Sequence, residues 1–213
     1  MRSLNKGAHP QSSDGTLVNF ARHKDAAPYL IDKIGKFCSY CERHIPSNLA
    51  VEHVVAKLHA PQLERDWNNL LLACGNCNSH KGTKTQQRTD SLWPDEDDTF
   101  NAFVYSATGS ITVSEHLDDV QKSRAFMLLK TTGLDKTLDK TSSADDRAKD
   151  RRERWEKALV AKRLLAQNQS ITSAQQLLSL MVTDSYSVWM AVFQDAPDFH
   201  AAIQNKFPGT KNN

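Results

Sequence analysis

The chain has 213 residues, a length that suits one or two domains and a core large enough to need no covalent staples. Charged residues make up 24% and the formal net charge is only +2, so charge alone names no polyanionic partner. The longest apolar runs, 70–74 and 188–193, are too short to span a bilayer, and the first fifteen residues lack the apolar run of a secretory leader, so a cytoplasmic protein is expected.

Residues 1–15 are polar, with Gly, Pro and Ser, and read as a loosely packed arm. A helix is expected over about 17–34, split by Pro28 and ended by Gly35. The segment 37–82 opens with a knuckle, FCSYCERHI. LAVEHVVAK (49–57) is β-branched and reads as a strand. DWNNLLLAC (66–74) reads as a turn and a second strand, and NSHKGTK (78–84) as the start of a helix. The order amounts to a β-hairpin followed by a helix. Residues 83–99, with Pro94 and the acidic run 95–98, read as a linker, and 100–115 as a hairpin turning at Gly109. The remainder is helical: 114–133 with a Ser cap, 143–167 with a charged face carrying the pairs Asp145–Lys149, Asp150–Arg154 and Glu153–Lys157, then 172–183 behind a Thr172–Gln175 capping box, and two more segments. The fold class is α+β, divided as an arm and helix (1–36), a compact core (37–90) and a hairpin with a helical, partner-docking region (91–213).

All four cysteines lie in that core, as Cys38-x2-Cys41 and Cys74-x2-Cys77. Two such pairs read as one tetrahedral zinc site, and with four sulfurs bound the ion keeps no open position, so its role is structural. Residues 1–90 carry 12 Lys/Arg against 8 Asp/Glu, so the half with the cysteines is mildly basic, which favours a polyanionic substrate there.

The cysteine pairs bracket Glu52-His53 and Asn69-Leu70, and the second runs into Asn78, Lys81 and Gly82. In this the segment 38–82 resembles the HNH nuclease superfamily, whose core is a ββα unit around a catalytic metal. The resemblance implies that His53 is the general base, a task suited to an imidazole with a reference pKa of about 6.5. It implies that Glu52 and Asn78 hold one divalent ion, Mg²⁺ or Mn²⁺, through hard oxygen ligands. Asn69 would pin the connecting loop and orient the base, with Asn68 a close competitor. His80 is carried as a further candidate ligand, and Lys57, Lys81 and Lys84 as candidate phosphate contacts. Neighbours on a regular strand point to opposite faces, so bringing both Glu52 and His53 to one phosphate requires a bulge or sharp turn. The chain departs from the family pattern at Glu52, where Asp or His is common, and at Ala56, where Pro is common.

The stretches RSLNKG (2–7), FCSYCERHI (37–45) and FPGT (207–210) further resemble the HNH proteins of Septu and retron anti-phage systems, which implies a partner ABC-type ATPase. DNA is the favoured substrate. The competing readings are a zinc module that binds nucleic acid or protein without cleaving, and a toxin-like nuclease acting on RNA such as tRNA.

Overall fold

The computed structural model describes residues 1–85, 87–137, 145–167 and 170–211. Strand β1 (Ala50–His53) pairs antiparallel with β2 (Leu70–Ala73), and α2 (Gly75–Lys81) follows β2 directly. The result is a ββα unit. The register is regular, with Glu52 opposite Leu71 and His53 opposite Leu70, so no bulge separates the two residues. All four β2 residues are buried, as the apolar run LLLA demands, and α1 (Ala27–Ile34) packs against this strand.

Downstream, α3 (Thr99–Ala102) leads into the hairpin β3 (Phe103–Tyr105) and β4 (Ile111–Val113). Helices α4 (Asp119–Thr132), α5 (Arg147–Leu165), α6 (Ile171–Met181), α7 (Tyr186–Val192) and α8 (His200–Gln204) complete the mixed α+β fold, whose C-terminal part is mainly helical. One buried cluster joins the ββα unit, the N-terminal residues, the β3–β4 hairpin and α4. A second joins α5 to α8, and Trp155 packs against both. No helix among the described residues is long and apolar enough to cross a membrane.

Residues 1–15 are not a loose arm throughout: Arg2, Leu4 and Lys6 are buried, and Leu4 bridges Thr210. Their polar atoms are satisfied inside, since Lys6 Nζ donates to Trp67 O at 2.8 Å and Leu70 O at 2.9 Å and pairs with Asp95 at 2.9 Å. Pro28 does not split a helix; it sits in the first turn of α1, where a missing N–H costs nothing. Strand β1 stops at His53, four residues short of the expected end.

The 83–99 segment is no linker either. Trp93 is fully buried, and the acidic run is spent on bonds within the protein: Asp95 on Lys6 and Arg88, Asp97 on the Trp93 N–H at 2.7 Å, and Asp98 on the α3 cap. Composition suggested exposure, but each carboxylate has a partner. Two helices also start elsewhere: α4 is capped by Asp118 rather than Ser114, and α6 by Ser170 rather than Thr172. On α5, Asp150 reaches Arg43 at 2.7 Å and Arg154 reaches Asp184, so tertiary partners replace the expected Asp150–Arg154 pair, and Glu153 lies 3.9 Å from Lys149. Asp145, ahead of the helix, pairs with Arg147. The expected start of this helix at 143–144 lies outside the described residues.

The hairpin tip is held where a side chain would not fit. Gly109 has φ +79°, and a Cβ there would lie 2.1 Å from Ala148 O on α5. Arg151 Nε donates to Gly109 O at 2.7 Å, so α5 grips the turn.

Candidate active site

The four cysteines converge. Their sulfurs all lie within 4.8 Å of one another, and Cys41 Sγ is 3.6 Å from Cys74 Sγ. A disulfide needs about 2.05 Å, whereas a tetrahedral ion with bonds of about 2.3 Å sets sulfurs a little under 4 Å apart. The donor set therefore fits a structural zinc ion. Local sequence builds it: the Cys38 N–H bonds Arg43 O at 3.0 Å to close the first knuckle, and Cys74 caps α2, its sulfur accepting from Cys77 N–H at 3.4 Å. Arg147 Nη1 donates to Cys77 Sγ at 3.1 Å, which ties α5 to the cluster.

His53 ends β1 with a half-buried side chain. Its Nε2 lies 2.9 Å from the carbonyl oxygen of Glu64. A carbonyl only accepts, so this nitrogen carries a proton, and in the neutral ring Nδ1 then keeps its lone pair. An imidazole held this way is equipped to take a proton from water through Nδ1.

Asn69 fastens the segment that leaves β1. Its Oδ1 accepts from Val55 N–H at 2.8 Å, and its Nδ2 donates to Val55 O at 3.0 Å and Leu63 O at 3.3 Å. These bonds explain the early end of β1: the chain turns at Val54–Val55 and is held there. Asn68, the competitor, is exposed.

Glu52 points the other way. It is 3% exposed, its Oε1 accepts from Tyr40 Oη, and its Oε2 lies 3.1 Å from Lys81 Nζ. Lys81 also donates to His53 O. Burial, then the Glu52 charge, push the Tyr40 phenol well up, so it remains a donor. Both carboxylate oxygens are thus engaged beneath the strand, and the expected pairing of Glu52 with Asn78 around one ion does not fit this arrangement. The physical reason is the regular register: with no bulge, a residue next to His53 faces the interior, and the interior supplies a cation of its own. Lys81, at 1% exposure, is likewise no phosphate contact.

Asn78 is exposed on α2, directly after Cys77. His80 turns to the opposite partner set. Its Nε2 is 3.3 Å from Asp145 Oδ2, and its ring lies against Gly133, where a Cβ would come within 2.8 Å of it. That contact explains a glycine at φ +67° and makes His80 a strut to the end of α4. Lys57 and Lys84 are exposed. His23 was not expected at all; its ring centroid lies 4.6 Å from that of His53. No motif marks it, because it sits 30 residues upstream and outside the cysteine pairs.

No curated protein matches the chain. Residues 38–84, less than a quarter of it, match the family model described as HNH endonuclease. The match spans both cysteine pairs, the strand with His53, and Asn69, and so this segment is an HNH endonuclease domain, of a phosphodiesterase family.

Proposed function

We propose that the protein is an endonuclease that hydrolyses phosphodiester bonds in DNA, with His53 as the general base. The observation that carries this is the Nε2–H···O=C bond to Glu64, which leaves Nδ1 free to accept a proton. His53 Nδ1 takes the proton from a water molecule, the resulting hydroxide attacks phosphorus, the P–O3′ bond breaks, and the departing O3′ takes a proton from solvent. The products carry 5′-phosphate and 3′-hydroxyl ends. Asn69 keeps the loop, and with it the Glu64 carbonyl, in register with the base. HNH domains typically use a divalent metal, and we infer that Mg²⁺ or Mn²⁺ is needed here; when bound, such an ion supplies charge neutralisation at the phosphate. Asn78 is the expected ligand whose side chain is exposed; no step is assigned to Glu52.

The test is cleavage of supercoiled plasmid and of total RNA by wild type and His53→Ala, with Mg²⁺, Mn²⁺ or EDTA. Loss of plasmid cleavage in a folded, zinc-loaded His53→Ala protein supports the reading. Equal cleavage by both refutes it. Cleavage of RNA alone moves the substrate to RNA.

We further propose an effector role beside an ABC-type ATPase, as the resemblance of residues 2–7, 37–45 and 207–210 implies. A protein partner is supported by apolar side chains that stay exposed on α5 and α6, among them Leu164, Leu177 and Leu180, the last 77% exposed. Co-purification with an ATPase encoded beside it, and a change in plasmid cleavage in the complex, test this.

A further inference from the structure

We propose that His23 is a positioning residue for His53, supplied to the reaction centre by a segment outside the HNH match. The inference rests on His53 being the base. His23 opens a short 3-10 turn, His23–Ala26, just before α1. That turn is fixed from both sides. Arg22 N–H donates to Asp25 Oδ2 at 2.9 Å, and Ala26 is fully buried. Phe20 is buried beside Trp67, and Arg65 Nη1 donates to its carbonyl at 3.3 Å. The backbone around His23 is therefore anchored at both flanks, while its side chain stays 29% exposed.

The ring uses that constraint. Its centroid is 4.6 Å from that of His53, with the planes tilted by 54°. The bond from His53 Nε2 to Glu64 O holds one atom of the catalytic ring, yet a single bond leaves rotation about the side-chain torsion, which is soft for histidine. Packing from His23 removes that freedom and keeps Nδ1 in one direction. Burial, followed by His53 and Lys57, holds His23 below the ordinary histidine range, so near neutral pH it is an uncharged wall. An uncharged neighbour does not repel the imidazolium that forms when His53 takes a proton. A surface histidine in chance contact would show the same exposure; two fixed flanks and a ring contact on His53, the proposed base, separate the cases.

The test uses the full zinc-loaded chain, supercoiled plasmid with Mg²⁺ or Mn²⁺, and three variants: His23→Ala, His23→Phe and His53→Ala. Misplacing a catalytic group by about 1 Å costs on the order of 100-fold, so His23→Ala should lower kcat by about 10- to 100-fold with KM and zinc content unchanged. His23→Phe, which restores a flat ring but no nitrogen, should recover most of that loss. The ¹⁵N shifts of His53 provide a readout independent of activity: one tautomer in wild type and His23→Phe, a mixture in His23→Ala. The proposal is overturned if His23→Ala keeps full kcat and one tautomer, or if His23→Phe is as poor as His23→Ala, which would make the nitrogen a direct substrate contact. If His53→Ala also cleaves like wild type, it is the assignment of His53 that fails, and the ¹⁵N experiment still decides the packing.

Discussion

Glu52 offers the sharpest test, because its two readings predict opposite outcomes. Replacing it with Gln leaves the Lys81 ammonium buried without its counter-charge. At 3.1 Å and an effective dielectric of about 20, the attraction between the two charges is about 5 kcal/mol. Desolvation offsets part of that, yet removing one partner of a buried pair typically costs about 3–5 kcal/mol. The Lys81 bond to His53 O and the Tyr40 bond survive in Gln, so the lower end is expected. Glu52→Gln should therefore lose about 3 kcal/mol in urea unfolding of the zinc-loaded protein. Removing both charges, with Glu52→Gln and Lys81→Met, should recover most of it, since a neutral pair carries no unpaired ion. The double variant should then cleave within about tenfold of wild type, an allowance for misplacement of His53 after the Lys81 bond is lost. The reasoning is refuted if Glu52→Gln unfolds like wild type but loses cleavage, or if the double variant is stable, inactive and rescued by raised metal. Either result would make Glu52 a metal ligand after all.

Other outcomes follow from single contacts. Asn69→Ala leaves the Val55 N–H and carbonyl buried and unpaired, so a loss of about 2–3 kcal/mol in urea unfolding is expected, together with slower plasmid cleavage. Gly109→Ala forces a Cβ into Ala148 O at positive φ; a melting temperature lowered by several degrees, from a cost of at least about 2 kcal/mol, is the expected calorimetric result. Burial alone would raise the Asp95 pKa, but Lys6 and Arg88 outweigh it and hold the carboxyl below its usual range. Its contribution to stability is then present above the unfolded value of about 3.9 and is lost as pH falls through the lower folded value. Asp95→Asn should flatten that acid limb in a series of unfolding curves below pH 5. Removing zinc with a chelator should unfold the 38–82 segment, seen as lost far-UV signal that returns with added zinc.

The ββα unit was legible because its signals are local and redundant. Two Cys-x2-Cys pairs, an apolar β2 run and an Asn before it each place themselves within a few residues. What the sequence hid was the direction of side chains and the partners of charged ones. Glu52 and His53 are adjacent letters, yet a regular register sends one into the interior and the other to its edge. The cation that makes burial of Glu52 tolerable, Lys81, lies 29 residues away on another element, so no window on the strand reveals it. The linker at 83–99 failed for the same reason. Acidic runs usually face water, and here Lys6 and Arg124 are brought to them by distant parts of the chain, with Arg88 folding back from within the segment.

That same long-range pairing reframes the three stretches, of which 2–7 and 207–210 lie outside the HNH match and 37–45 opens it. Residues 2–7, 37–45 and 207–210 lie far apart in sequence but meet in one seam. The Arg2 guanidinium sits 5.4 Å over the Phe37 ring and 5.5 Å over that of Phe207, and donates to Pro208 O at 3.0 Å. Phe37 and Phe207 lie 4.9 Å apart, and Glu42 accepts from the N–H groups of Arg2 and Ser187. Buried arginines stacked on aromatic faces and fully hydrogen-bonded are a means of fixing geometry. The seam therefore clamps α7 and the chain's two ends onto the first zinc knuckle, and with Arg147 on Cys77 it makes the helical region a continuation of the clip.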